Sequence, residues 1–541
     1  MLRAVVVALL TLLAVPPAAA QAPAPQKPPT ETKQADPIVV TATKLETPAS
    51  ELGATVTVIS GEEFETYHYP TVDEALRNVP GVEIRRSGSF GKTSAISIRG
   101  ANANQVQVLV DGVRVKSPTL GQAELSDISP DLIDRIEVIR GPQSTIYGAD
   151  AIGGVVNIIT KRGSGPPSAV VSQEGGNYDT VRTRASVSGS SGPFDYALGY
   201  YHLGSKGQFI NDGVNQDAAS GNLGLSLPGN TRIGAAVRYN KTDIGLPIEF
   251  VGTPSPVVPD LFDPNTRQES ETYTATVDVR TRPVTWWEGS LRLSRYENNQ
   301  AFIDRPDPFP CPPATFGPPC DFPTRFKVSR NEVEGLSHFH IGTWSTSTFG
   351  IEYREEDASV QGASAFSPNS ETVSGLFEQK FRFFDRLFMS AGVRVEDNSV
   401  FGRSTTERGS LAYVVKEWGT RLHGSAGSGF RAPTFNDLFF PGFSNPALVP
   451  EESFSWDVGV EQKLWNNRIR LGLTYFHNKF TNLITCCLPL PVFPFATTAN
   501  IGKARAAGIE FLTAVDVLDN LLAEVNYTYT DTENLLTDKP L

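Results

Sequence analysis

From about residue 165 onward, apolar and polar residues alternate with a period of two. Val181, Thr183, Ala185 and Val187 alternate with Arg182, Arg184, Ser186 and Ser188. Ile233, Ala235, Val237 and Tyr239 alternate with Arg232, Gly234, Ala236 and Arg238. The same beat returns in Tyr273–Arg280 and Ile469–Tyr475. It belongs to a β-strand with one apolar and one polar face. A β-sandwich would alternate in the same way. The length over which the repeat is sustained, with aromatics near the strand ends, favours a transmembrane β-barrel. In that reading the apolar face meets lipid and the polar face a wet lumen. Some turns are short, such as Gly192-Pro193 and Pro228-Gly229-Asn230, and others long and proline-rich, such as 301–324 and 484–498. Short turns on one rim and long loops on the other suit such a barrel.

The preceding segment has a different pattern. Residues 46–162 read as an α/β unit. Val56–Ile59, Ala95–Ile98, Val106–Val110, Ile136–Ile139 and Val155–Ile159 are short strand-like runs. Ser60 with Glu63 makes a capping-box pattern. A second helix starts at Thr71–Leu76 and ends at Pro80-Gly81. Upstream, Arg3, the apolar run Ala4–Val15 and Ala18-Ala19-Ala20 form the three parts of a secretory signal peptide, residues 1–20. The apolar run falls short of the ~20 residues that a spanning helix needs. Residues 21–35, rich in Pro, Ala, Gln and Lys, read as a flexible linker. Asp36-Pro37-Ile38-Val39-Val40-Thr41-Ala42-Thr43 follows as an extended, β-branched run, suited to adding a strand to a partner's sheet.

Charge and chemistry narrow the picture further. Lys and Arg number 47 against 59 Asp and Glu, a formal −12, which disfavours nucleic-acid binding. Cys311 and Cys320 close a proline-rich loop in an exported chain, so a disulfide between them is expected. The pairing of the adjacent Cys486 and Cys487 is open. His338 and His340 share a strand face, but a pair of wall histidines is the better reading than a metal site. No metal is expected, and no nucleophile elbow, phosphate loop or zinc motif points to an enzyme.

The motifs of residues 36–162 closely resemble the TonB box and plug of the TonB-dependent outer-membrane receptors. They are Asp36–Ala42, Leu76–Val82, Ile98-Arg99-Gly100, Val108–Val113 with Asp111-Gly112, and Arg135–Pro142 with Glu137, Arg140 and Gly141. The last is Ser144–Thr160, containing Tyr147-Gly148. Gly429–Thr434, Leu448–Ser453 and Gly502–Glu510 look like barrel motifs of the same family. Within it the run Tyr147–Thr160, and Asn500–Glu510 ahead of Tyr527-Thr528-Tyr529, are most similar to the cobalamin transporter branch. Siderophore receptors share much of the plug pattern.

The resemblance implies an α/β plug domain (46–162) inside an antiparallel transmembrane β-barrel (165–541), embedded in outer-membrane lipid. It implies import of a scarce ligand, cobalamin or a related corrinoid, with a ferric siderophore as the alternative. It also implies a partner, the periplasmic domain of TonB, that pairs with box residues 36–43 and pulls. A barrel lipase would have no use for the box, a passive porin none for the plug. A signalling receptor would need more than residues 21–35 ahead of the box. Family barrels have 22 strands. Residues 165–541, at roughly 20–22 residues per strand with its connection, hold about 17–18. The last few strands are therefore expected to be lacking, with a gap between the first and last strands. By position, the ligand-facing plug turns are expected at Ser89-Phe90-Gly91-Lys92 and Lys116-Ser117-Pro118-Thr119. Arg99, Asp111, Glu137 and Arg140 are charges within apolar strands and are expected to pair structurally rather than touch ligand. The related branch binds calcium in an acidic loop. The comparable stretch here, Asn211–Asp217, has only Asp212 and Asp217, and calcium takes six to eight oxygens, so no cofactor is expected.

Overall fold

The backbone places the long alternating run in one large sheet and the segment before it in three small ones. A computed structural model describes residues 37–39, 43–130, 132–246, 266–303, 324–362, 365–442, 444–485, 498–518 and 520–540. The signal peptide, the linker, box residues Asp36, Val40, Thr41 and Ala42, and all four cysteines, including Cys311 and Cys320, lie outside the described residues. No described helix is long and apolar enough to cross a membrane.

The inner unit holds nine strands: β1 (Ile38–Val39), β2 (Thr47–Pro48), β3 (Thr55–Ser60), β4 (Val82–Arg86), β5 (Ser94–Ile98), β6 (Val106–Val110), β7 (Val113–Arg114), β8 (Ile133–Arg140) and β9 (Gly154–Thr160). Five form a mixed sheet in the order β3-β8-β9-β6-β7, with β6 and β9 parallel. The expected capping box is present. Glu63 N–H donates to Ser60 Oγ at 3.2 Å, and Ser60 N–H to Glu63 Oε2 at 2.6 Å, starting helix α1 (Gly61–Thr66). Helix α2 (Val72–Leu76) buries Val72 and Leu76 with Phe64, Val106, Val108, Ile136, Val138 and Val156. This apolar centre holds the plug together.

Around it runs an antiparallel sheet of 18 strands, each paired with its sequence neighbours, from Ser168–Gly176 to Lys539–Pro540. Among the described residues no ladder joins the first strand to the last two, so the sheet keeps two edges. From Thr180–Ser191 to Leu521–Asn534 the strands run 12 to 20 residues, more than the ~9–11 needed to cross a bilayer. The alternation sorts as the period of two predicts: Phe349, Ile351 and Tyr353 face outward and exposed, while Thr348, Glu352 and Arg354, alternating with them, are buried on the opposite face. Trp286, Trp344, Trp418 and Trp465 are exposed on the short-turn rim. Trp344 stacks near Phe381 with ring centroids 6.1 Å apart. An amphipathic ring belt of this kind sits at a membrane–water interface.

Candidate functional site

The plug carries its charged residues to the wall on tight turns. Arg99 and Gly100 both take positive φ, 52° and 76°, between Ile98 and Ala101. Asp111 and Gly112 do the same between β6 and β7, at 49° and 81°. Two consecutive left-handed residues define the type I′ turn, and Gly is the residue that adopts its second position without strain.

From these turns the side chains reach the lumenal wall. Arg99 Nε donates to Glu510 Oε1 at 2.7 Å and its Nη2 to Oε2 at 2.9 Å, a bidentate pair. Arg99 Nη1 also meets Asp457 at 3.2 Å, and Arg140 lies 3.4 Å from Glu510. Burial pulls the Arg99 pKa down, but Glu510 and Asp457 outweigh it and raise it above the ordinary arginine value. A Cβ on Gly141 would come within 2.8 Å of Asp457 Oδ2, so that motif glycine lets plug and wall approach. Asp111 pairs with Arg238 and accepts from Thr160 N–H and Oγ1 at 2.9 Å each. Glu137 is different: its pair, Arg135 at 2.8 Å, is on its own strand.

A second ionic cluster lies beside the Tyr147-Gly148 motif. The carboxylates of Glu332, Glu334 and Glu352 gather within 4.8 Å of one another. Arg114 pairs with Glu332 and, at 3.1 Å, with Glu352. Arg292 holds Glu334 at 2.9 Å, and Arg394 holds Glu352 at 3.2 Å. Lys44, just after the box, pairs with Glu334 and stands 5.1 Å over the Tyr147 ring. This density of fixed cations makes the trio an internal ionic knot. Sequence reading missed Lys44, Arg114 and the three glutamates. The available signal was Glu332 and Glu334 two apart on the polar face of one strand.

The box is paired but only partly sheltered at its described end, where Ile38 stays exposed. Ile38 and Val39 pair with Pro48 and Thr47, and Val39 is fully buried against Leu52, Ala54 and Ile139. Thr43 Oγ1 donates to Leu45 O at 2.9 Å within the same hairpin. Pro37 precedes the first paired residue and is exposed.

The turns expected to face ligand are more enclosed than their polar sequences suggest. Lys92 is 1% exposed; it donates to Gly213 O and, at 3.0 Å, to Gly245 O, with Asp212 at 3.7 Å. Ser89 N–H donates to Asp212 at 3.3 Å. Phe90 packs on Tyr201, Leu203 and Val214, and Gly91 lies against Leu203 and Val214. Lys116 donates to Asn104 O and pairs with Asp150 at 3.0 Å. Burial lowers both lysine pKa values to about 8 against the pull of their aspartates. Pro118 O accepts from Phe435 N–H at 3.0 Å. That bond brings down helix α4 (Phe435–Phe439), α3 being Ser144–Tyr147, over Ser117 and Thr119, both buried. Lys92, Ser89 and the Pro118 carbonyl therefore latch plug to wall, because a turn enclosed by a barrel satisfies its polar groups on the wall rather than in water. The Lys116 side chain bonds within the plug, and its carbonyl is what reaches the wall, accepting from Arg330 Nη2 at 3.1 Å. Asp212 also accepts from Gln208 N–H at 2.8 Å, and Asp217 from Tyr200 Oη at 2.8 Å, so both carboxylates of the acidic stretch have protein donors.

A cavity of about 400 Å³ separates the plug from the wall strands of 214–303. Val110, Val115, Tyr296 and Phe302 give it an apolar body, and Glu124 and Asp127 give it carboxyls. Polar side chains including Gln122, Arg238, Asn240, Gln268, Asn298 and Gln300 complete the lining, so apolar surface and hydrogen-bonding groups converge there, as in a ligand cavity.

Comparison with known proteins places both units. The model described as TonB-dependent Receptor Plug Domain matches residues 48–155, and that described as TonB dependent receptor-like, beta-barrel matches residues 211–541. The Vitamin B12 transporter BtuB of Vibrio vulnificus is 28% identical over 488 residues, 89% of this chain and 76% of its own. The same transporter of Photobacterium profundum is 26% identical over 517 residues, 94% of this chain and 80% of its own. Among solved structures, the siderophore receptor PirA from Acinetobacter baumannii aligns with a TM-score of 0.74 at 18% identity, over 90% of this chain and 81% of that one. P. aeruginosa FpvA bound to a pyoverdine aligns at 0.77 and 16%, over 93% and 74%.

Proposed function

The chain belongs to the TonB-dependent receptor family, and we propose that the ligand it imports across the outer membrane is cobalamin or a related corrinoid. It is an outer-membrane transporter with a plug inside its β-barrel wall. The observation that carries the corrinoid reading is likeness along nearly the whole chain to proteins described as vitamin B12 transporters, at 26–28% identity. The runs Tyr147–Thr160 and Asn500–Glu510 support it. A ferric siderophore is the second reading, supported by the plug pattern shared with siderophore receptors.

In the proposed cycle, ligand binds above the plug among the long loops and the turns at 89–92 and 116–119. The wall latches at Lys92, Lys116 and Pro118 then carry the disturbance into the plug. At the other rim, Ile38–Val39 leaves Thr47–Pro48, and TonB's periplasmic domain adds a strand to residues 36–43. Pulling must then break ion pairs such as Arg99–Glu510 and Asp111–Arg238 as well as apolar contacts such as Ala101 and Ile152 with Phe480. The substrate is tested by growth of a receptor-deficient host expressing this chain. Growth rescue on limiting cobalamin, and none on ferric siderophores, is expected. Rescue by ferric siderophores alone would replace the corrinoid reading with the second.

A further inference from the structure

A second cavity, of about 430 Å³, lies at the short-turn rim between plug residues 43–54 and the wall. Its lining is strongly positive: Arg282, Lys380, Arg382 and Arg408 with His340, against the carboxylates of Glu46 and Glu51. Part of this charge is already matched, since Arg382 pairs with Glu51. Arg408 is not matched in that way. It is 7% exposed, its Nε has no hydrogen-bond partner, and among the described residues its guanidinium enters no ion pair. Lys380 Nζ has no hydrogen-bond partner either; its nearest carboxylate, on Glu378, is 3.8 Å away. His340 bonds Thr346 through Nδ1 at 3.1 Å and leaves Nε2 without a partner.

The carboxylates of Glu378 and Asp457 act on Arg408 only from beyond ion-pair distance, and a buried guanidinium with no carboxylate in direct contact is costly. Water filling the cavity would satisfy the hydrogen bonds and leave the charge. An oxyanion does both, and the planar fork of arginine suits phosphate or carboxylate. We propose that this cavity is an oxyanion site in which a free phosphate or carboxylate ion bridges Arg408 and Lys380. Thr43, Leu45, Thr47 and Pro48 line the same cavity. The bound anion therefore tightens the hairpin that carries Ile38–Val39, and gives the box a seat sensitive to its ionic surroundings.

The test is titration calorimetry of the full chain in detergent micelles with inorganic phosphate, at low ionic strength in a phosphate-free buffer. One saturable site is expected. Its affinity should fall about tenfold or more in Arg408→Gln and in Lys380→Gln, the scale of one lost charge-assisted hydrogen bond. Arg403→Gln, an exposed change on the same strand, should leave it unchanged. Acetate should compete, and short-chain phosphatidylglycerol should not. Retained heat-modifiability on gels establishes that a variant is folded, and either of the two loss variants suffices. No saturable phosphate binding by the unmodified chain would overturn the proposal. So would equal affinity in a folded loss variant, or binding of phosphatidylglycerol in place of phosphate.

Discussion

Arg99 and Glu510 stand 411 positions apart in sequence and meet through two parallel hydrogen bonds inside the wall, with Asp457 and Arg140 alongside. Removing one member strands the other in a buried place, at a cost of about 3–5 kcal/mol, reduced where neighbours compensate. Glu510→Gln and Arg99→Met should each loosen the plug by roughly the lower end of that range. Exchange rates of the Val106–Val110 and Ile133–Arg140 amides measure the loosening. The double variant should lose less than the sum of the two, since the residues share one interaction. Additive losses would mean that the pair is not coupled.

The contact of Lys44 with Glu334 ties the box hairpin to the wall. Lys44→Gln leaves Glu334 with Arg292, so the loss is that of one charge-assisted bond, about 1.5–3 kcal/mol. A spin label at position 38 should become more mobile in Lys44→Gln and in Glu334→Gln, without any ligand. Unchanged spectra in both would separate the ionic cluster from control of the box.

Plug stability should depend on pH through Glu124 and Asp127. Burial, with the nearby Asp127 charge adding to it, raises Glu124 from 4.5 to about 8, and burial raises Asp127 from 3.8 to about 6. Both are folded-state values raised above the unfolded ones, so the protonated forms favour the fold. Their contribution is complete below the unfolded values and is lost as pH rises through the folded ones. The plug should therefore weaken from about pH 4 to about pH 8, and Glu124→Gln should flatten the upper part of that slope. Denaturant midpoints of the two proteins at pH 5 and pH 8 provide the comparison.

Cys311 and Cys320 should be joined in protein isolated from the outer membrane. Their nearness in sequence and an oxidising compartment favour the bond. Mass spectrometry of unreduced peptides should recover the linked pair. Two alkylatable thiols would contradict it.

What the sequence made legible was local. The strands Val106–Val110 and Val155–Ile159 and the Ser60–Glu63 cap depend on residues a few positions apart, whereas Arg99 and Asp111, expected within strands, sit in the left-handed turns just past Ile98 and Val110. Periodicity likewise placed Val181 and Tyr273 on the outer face. Partnership across the plug–wall seam was not legible, because Lys44 finds Glu334 only once the wall has wrapped round it. For the same reason the runs 89–92 and 116–119 read as turns open to ligand, with no sign in the sequence of the wall groups that enclose them. The lipid-facing rule assigns wall residues to a side, but it does not identify which plug charge each meets.

The most direct test of energy-coupled transport is the affinity of a purified TonB periplasmic domain for this chain, with and without cobalamin. Ligand should raise it, and Val40→Pro, which removes a backbone donor from the added strand, should abolish it while cobalamin still binds. Equal binding with and without ligand, or full binding by the Val40→Pro variant, would contradict the account.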